Sequence, residues 1–426
     1  MKRILLTTYL LFLLFKCYAQ ETTLTSKLAS QFVKYYNTSQ ADSLYTLLSL
    51  EVKKSLPQSN VSVVVDQLKS QFGNLLTSEY AEADKGITTY IAEFEKPGPV
   101  LYIHFNKDNK VVGFFVNADK RVKTPLREGE DLISVSTSSA VIRGTISIPK
   151  AAKKIPVVLL IAGSGPTDRD GNSPLIPGKP NYFLKISDEL SANDIAVLRY
   201  DKRAIGRSTS NKSAAEITLV DMVEDARALI QFLKNDDRFS EVIVCGHSEG
   251  ALVGMLASQN EQVSRFISIA GPGVPVGDIL SSQLKETMAP DDYKMAISVM
   301  DSIKNGQEIR QTLKNGMDVL FHPSLRPFLH SLMKFNPQAE IAKLKMPVLI
   351  IQGTHDIQVD VNNAKELKKA SPNAKLVLID GMNHILKQAP KDRQLNIATY
   401  SNEKLELHPR LISELTQFIN QMTYGN

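Results

Sequence analysis

The chain has 426 residues, of which 43% are hydrophobic and 22% charged, an ordinary globular composition with length for two or three domains. The formal net charge is +5, and residues 1–19 carry Lys2, Arg3 and Lys16 with no acid, so without them it falls to +2. Neither that balance nor any basic cluster makes a case for nucleic-acid binding. Only Cys17 and Cys245 are present, which excludes a disulfide framework.

Lys2 and Arg3 precede the apolar run Ile4–Phe15, and Cys17-Tyr18-Ala19 offers a small residue at a cleavage point. Twelve residues are too few to span a bilayer and suit a secretory signal over residues 1–19. A lipid anchor at Cys17 would want small residues just before it, and Phe15-Lys16 supplies none. No other run approaches 18 apolar residues, so the expectation is an exported protein, periplasmic or secreted, with no stable membrane anchor. Cleavage leaves Cys245 alone, and at the end of a buried strand it reads as a small core residue.

Residues 20–125 form a small unit. Leu24, Leu28, Phe32, Val33 and Tyr36 recur at helical spacing, and Val63–Leu76 holds a second helical pattern. Strand-like runs come next at Ile87–Phe94, Val100–Phe105 and Val111–Phe115, joined by turn-forming Glu95–Pro99 and Asn106–Lys110. Helices first and a meander after them predict an α+β domain with helices on a curved sheet. In pattern, though in no specific motif, it resembles the small cystatin- or NTF2-like domains that precede secreted hydrolases. Its lone histidine, His104, lies in a strand and reads as structural.

Residues 117–131 are polar and charged and read as a linker. Over 126–426 the rhythm changes. Leu132–Ser136 and Val141–Ile148 predict an antiparallel entry hairpin. Strands are then expected at Ile155–Ala162, Ile195–Tyr200, Val242–Cys245, Phe266–Ala270, Val348–Gln352 and Lys375–Ile379, with helices such as Leu219–Leu233 between them. Alternating elements with continuous apolar strands mean an α/β fold, a mostly parallel sheet covered on both faces. Residues 272–341 break the alternation, and Ile279–Met288, Tyr293–Ile303 and Ile309–Leu320 predict a helical cap inserted over the sheet's C-terminal edge. Met288, Met295, Met300, Met317 and Met333 fall there, suited either to an adaptable acyl-binding surface or to core filling.

The chemistry centres on Val242-Ile-Val-Cys-Gly-His-Ser-Glu-Gly-Ala251, an apolar run ending in a turn with Ser248 at its apex and a helical pattern beyond. A serine on a strained strand-to-helix turn projects its hydroxyl from the sheet, and glycines on either side avoid a Cβ collision. Such a serine needs a base, and the base an orienting acid. Val348-Leu-Ile-Ile-Gln-Gly-Thr-His-Asp356 runs a core strand into a loop with a carboxylate, and Leu376-Val-Leu-Ile-Asp-Gly-Met-Asn-His384 runs another into a loop with a histidine. An open α/β sheet collects its chemistry at such strand ends. His247 and His355 adjoin Ser248 and Asp356, but neither position suits the base. No histidine–carboxylate spacing fits zinc and no phosphate-binding glycine loop is present, so neither metal nor cofactor is expected.

With Ala162-Gly-Ser-Gly-Pro-Thr-Asp-Arg-Asp-Gly-Asn172 and Arg199-Tyr-Asp-Lys-Arg-Ala-Ile-Gly-Arg-Ser208, these motifs resemble the α/β-hydrolase superfamily, in particular its secreted bacterial serine esterases, over about residues 130–426. The resemblance implies Ser248 as nucleophile, His384 as general base and then acid, Asp356 as the orienting acid, and the backbone N–H groups of Glu249 and Ser164 as the oxyanion hole. Many members have histidine where this chain has Ala162 and glycine where it has Ala204, and the latter adds a methyl to a tight loop. Asp168, Arg169, Asp170, Asp201, Arg203 and Arg207 read as ion pairs holding the 162–172 loop against the loop after Tyr200. The expected activity is cleavage of small-molecule carboxylic esters through an acyl-enzyme. Acyl transfer, thioester hydrolysis and peptide hydrolysis share the triad, and a non-catalytic binding protein on the same scaffold is the alternative of another class.

Overall fold

The computed structural model describes residues 22–421, apart from residues 85, 97–98, 118–125, 151–153, 174–177, 213–214, 260 and 315. The expected signal segment and the middle of the expected linker lie outside the described residues. The first unit begins with helices Thr22–Asn37, Ala41–Leu47, Leu50–Ser55 and Gln58–Phe72. A four-stranded antiparallel meander comes after them in sequential order: β1 (Leu75–Asp84), β2 (Ile87–Phe94), β3 (Val100–Phe105) and β4 (Val111–Asn117). Phe32, Tyr36, Leu44 and Val61 from the helices share a core with Tyr90, Leu101, Ile103 and Phe105 from the sheet.

The helix expected over Val63–Leu76 stops at Phe72, because Gly73 takes φ 82° and turns the chain. The next element is β1, where the sequence predicts no strand. Its Leu, Glu and Ala content favours helix locally, and pairing along β2, from Leu75 opposite Phe94 to Asp84 opposite Ile87, overrides that preference. His104 is structural, its Nδ1 2.9 Å from Thr89 Oγ1 and its ring tilted on Phe115.

The second unit is built on a nine-stranded sheet. β5 (Glu130–Ser136) and β6 (Ala140–Ser147) form the antiparallel hairpin. Then come β7 (Ile155–Ile161), β8 (Ala196–Tyr200), the two-residue β9 (Thr209–Ser210), β10 (Phe239–His247), β11 (Arg265–Ile269), β12 (Val348–Gly353) and β13 (Lys375–Ile379). The spatial order is β13-β12-β11-β10-β7-β8-β6-β5, with β9 at the side of β6. From β8 to β13 along this order every pairing is parallel. Both faces are covered. Val157, Leu159 and Ile161 enter one core with helices Leu219–Lys234 and Glu249–Ser258, and Val158 and Leu160 enter the other with Tyr182–Ser191 and Pro409–Asn420. The chain leaves β7 toward β8 on one side and later returns to place β10 on the other, so a crevice opens between the C-terminal ends of β7 and β10.

Between β11 and β12 lie helices Val276–Thr287, Pro290–Lys304, Met317–Leu320, Arg326–Leu332 and Pro337–Ile341. The helix expected over Ile309–Leu320 forms only in its last turn. Ile309 and Leu313 still pack on the cap core, but from irregular chain bounded by Gly306 and Gly316, both at positive φ. Met300, Met317 and Met333 are buried in that core with Leu280, Val299 and Phe321, Met288 packs against it, and Met295 is exposed. The structure therefore uses three of the five methionines to pack cap helix on cap helix. Leu332 and Ile341 belong instead to the core of the main sheet.

A guanidinium joins the two units, as Arg143 on β6 donates to Glu93 on β2 and to the carbonyl of Arg207 at 2.7 Å.

Candidate active site

Ser248 stands between the end of β10 and the helix Glu249–Ser258 with φ 56° and ψ −126°, a backbone position that L-residues seldom occupy. The turn is enforced by close approach. A Cβ at Gly246 would meet the Gly250 carbonyl oxygen at 2.2 Å, and one at Gly250 the Ile161 carbonyl oxygen at 2.2 Å. Ser248 N–H donates to Ile269 O at 2.9 Å, which ties the apex to β11. A Cβ at Gly163 would come within 2.9 Å of Ser248 Cβ, so the loop after β7 lies directly against the serine.

The loops after β12 and β13 bring Asp356 and His384 together. His384 Nδ1 donates to Asp356 Oδ2 at 2.8 Å, and both side chains are buried. The other carboxylate oxygen accepts the N–H groups of Gln358 at 2.8 Å and Val359 at 2.9 Å, and Gln352 Nε2 donates to Oδ2 at 3.0 Å. Burial by itself would raise this carboxyl. The His384 ring and the two amides outweigh it and hold Asp356 below the usual carboxylate range. An ionised Asp356 can only accept, which puts the His384 proton on Nδ1 and leaves Nε2 as a lone-pair base.

His247 and His355 do other work. His247 Nε2 donates to the backbone carbonyl of His384 at 2.8 Å, and its ring packs 4.8 Å from that of His384 and against Tyr182 and Phe183. Burial, reinforced by His384, pushes the His247 pKa down to about 3, so it stays neutral and ties the elbow to the His384 loop. His355 Nδ1 bonds the Ala389 carbonyl at 2.5 Å. Cys245 is buried beneath the elbow and its thiol is pushed up to about 12 by burial.

At the oxyanion loop neither the Ser164 N–H nor the Glu249 N–H donates to an acceptor among the described residues. Ser164 Oγ donates to Glu249 Oε2 at 2.9 Å, and Lys202 Nζ reaches Gly163 O at 2.9 Å and Glu249 Oε1 at 3.5 Å. The sequence marks neither Lys202 nor Gln352 as part of the site. Both are polar side chains on or just after a buried apolar strand, which is the one local signal available.

The ionic cluster is only partly as expected. Arg169 holds Asp201 through Nε at 3.2 Å and Nη2 at 2.5 Å, and the backbone N–H groups of Arg169 and Arg207 donate to the same carboxylate. Asp168 folds its own loop, accepting from Asp170 N–H and Asn172 N–H. Arg203 turns away from the loop and forms a two-pronged pair with Asp225 at 2.6 and 2.8 Å, with Asp221 beside it, both on the helix Leu219–Lys234. The reason is burial. At 3% exposure a guanidinium needs carboxylates on every open side, and the helix supplies two. Arg199, inside β8, takes over part of the expected role by pairing with Asp170 and Glu130. Ala204 has φ 60°, a left-handed position for a residue with a Cβ. Among the described residues no cluster of His, Cys, Asp and Glu fits a metal ion.

A family model described as serine aminopeptidase, S33, matches residues 181–389, and one described as a protein of unknown function, DUF3887, matches residues 29–114. With the sheet order and the elbow, the first match assigns the second unit, through residues 181–389, to the α/β-hydrolase superfamily. It is 25% identical over 369 residues to esterase EstD of Thermotoga maritima, covering 83% of this chain and 86% of that protein. It is 23% identical over 252 residues to a proline iminopeptidase of Saccharolobus solfataricus, covering 52% of this chain and 79% of that one. Among solved structures, Est1E from Butyrivibrio proteoclasticus with bound ferulic acid aligns at 16% identity and a TM-score of 0.44, over 67% of this chain and 96% of that one.

Proposed function

We propose that this chain is an exported serine hydrolase that cleaves small-molecule carboxylic esters through an acyl-enzyme. The observation that carries the reading is the Asp356–His384 hydrogen bond, on a loop that His247 ties to the elbow of Ser248, where the N–H groups of Glu249 and Ser164 meet no acceptor among the described residues. Ser248 Oγ attacks the ester carbonyl carbon as His384 Nε2 takes its proton, and the imidazolium is stabilised by Asp356. The carbonyl oxygen, now an anion, accepts the N–H groups of Glu249 and Ser164. Collapse expels the alcohol, which receives the proton from His384. Water, deprotonated by the same nitrogen, then releases the acid and restores Ser248. No step calls for a metal or organic cofactor. The relation to esterase EstD supports ester substrates. Export is supported by Lys2, Arg3 and the apolar run Ile4–Phe15.

The family description and the relation to a proline iminopeptidase favour one second reading, removal of an N-terminal residue from a peptide. That reaction wants a carboxylate for the substrate's ammonium, and the elbow's own acid, Glu249, is already engaged by Ser164 and Lys202. The test is labelling by a fluorophosphonate and turnover of p-nitrophenyl esters of increasing chain length, beside prolyl and alanyl p-nitroanilides. Labelling that maps to Ser248 with ester turnover is the expected result. No labelling sinks the serine mechanism, and anilides turned over faster than esters replace the substrate class.

A further inference from the structure

We propose that Lys202 is a positioning residue for the oxyanion hole, acting through the peptide that joins Gly163 to Ser164. This rests on the ester-hydrolase reading above. The Gly163 carbonyl and the Ser164 N–H are opposite ends of one rigid trans amide, so an interaction at the oxygen fixes the direction of the N–H. Lys202 Nζ donates to that oxygen at 2.9 Å. An ammonium there also draws charge along the amide and makes its N–H a stronger donor.

The choice of partner is informative. Lys202 is 6% exposed, and a buried lysine ordinarily needs a close carboxylate. Its carboxylate, Glu249 Oε1, stands back at 3.5 Å, while the neutral carbonyl takes the short contact. The second Glu249 oxygen is given to Ser164 Oγ at 2.9 Å. Each residue that offers an N–H to the anion is therefore tied to the other by its own side chain, and Lys202 holds both. The charges also matter. A buried Glu249 carboxylate beside a developing oxyanion opposes it, and the Lys202 ammonium offsets that field. Removing Lys202 thus loosens one donor and leaves a negative charge next to the reaction, two effects of the same sign.

The experiment compares wild-type protein with Lys202→Met and with Lys202→Met/Glu249→Gln, using p-nitrophenyl acetate and two inhibitors. One is a trifluoromethyl ketone, which becomes an anionic tetrahedral adduct on the serine. The other is a neutral amide analogue of the substrate. Lys202→Met is expected to lower kcat by about 10–100-fold, somewhat less than deleting an oxyanion donor outright, with KM within about threefold. The double variant should regain part of the loss, because the stray carboxylate is gone, yet stay below wild type. Ketone affinity should fall in step with kcat/KM while amide affinity holds. If Lys202→Met does not fold, the double variant, which leaves no unpaired buried charge, carries the test alone. Variants with wild-type kcat and ketone affinity, or equal losses toward both inhibitors, overturn the inference. Wild-type protein inert to esters and to fluorophosphonate sinks the underlying reading and this inference with it.

Discussion

Asp356→Asn tests the orientation of the base more sharply than any deletion, because the pocket around that carboxylate contains only donors. Oδ2 faces His384 Nδ1 and Gln352 Nε2, and Oδ1 faces the N–H groups of Gln358 and Val359. An asparagine must set its NH2 against one of these pairs. Toward the backbone it opposes two amides that have no alternative proton positions. Toward His384 it opposes Gln352, but the imidazole can respond by moving its proton from Nδ1 to Nε2. The second arrangement is the cheaper one, and it leaves no lone pair for Ser248. The expected loss is that of a wrong tautomer, about 10⁴-fold in kcat, or about 5 kcal/mol of transition-state stabilisation. KM should change little, since Asp356 acts on the ester only through His384. The assay is steady-state turnover of p-nitrophenyl acetate near pH 7.5, with circular dichroism to show that the variant is folded. A folded Asp356→Asn protein retaining more than a tenth of wild-type kcat would refute the argument and make the Asp356–His384 contact structural.

Three further outcomes are expected. Ser248→Ala and His384→Ala should each lower kcat by several orders of magnitude and the double variant should be little worse, as burst and steady-state rates will show, because the residues act as a unit. Ala204→Gly should raise the free energy of unfolding by about 0.5–1 kcal/mol in a denaturant titration, since relief of a left-handed alanine exceeds the extra entropy of an unfolded glycine. Asp356 has a folded pKa below its unfolded value of about 3.9, so the stability it contributes is complete above that pH and is lost as pH falls through the folded value. The difference in Tm between wild type and Asp356→Asn should accordingly shrink on acidification below about pH 4.

The main strands were legible because apolar β-branched runs such as Ile155–Ile161 and Val348–Gly353 are buried on both faces, and burial leaves a composition signal. The elbow was legible because the close approaches at Gly246, to the Gly250 carbonyl four residues on, and at Gly250, to the end of β7, each leave no room for a Cβ and so mark the turn in the sequence. β1 was hidden, since its pairing with β2 is decided by tertiary contact against a helix-leaning sequence. The irregular stretch before Met317 was hidden for the converse reason. Ile309 and Leu313 have helical spacing and are packed, and spacing cannot report that the chain between them is not wound. Partner choice among charges was the least readable. Nothing near Arg203 in sequence says that it turns to Asp225, 22 positions on, or that Lys202 beside it turns to a carbonyl 39 positions back.

The backbone at Ser248 also decides which atoms are allowed to attack. At φ 56° a residue branched at Cβ is driven against its own main chain, and the loop at Gly163 lies so near that even a Cβ there would come within 2.9 Å of the serine's Cβ. Threonine, an adequate nucleophile in chemical terms, is shut out of this turn by shape alone. Cysteine and aspartate, each with a single heavy atom on Cβ, meet no such barrier. The turn is thus indifferent to whether oxygen, sulfur or carboxylate does the attacking and strict about branching, a filter on substitution that operates before any question of reactivity arises.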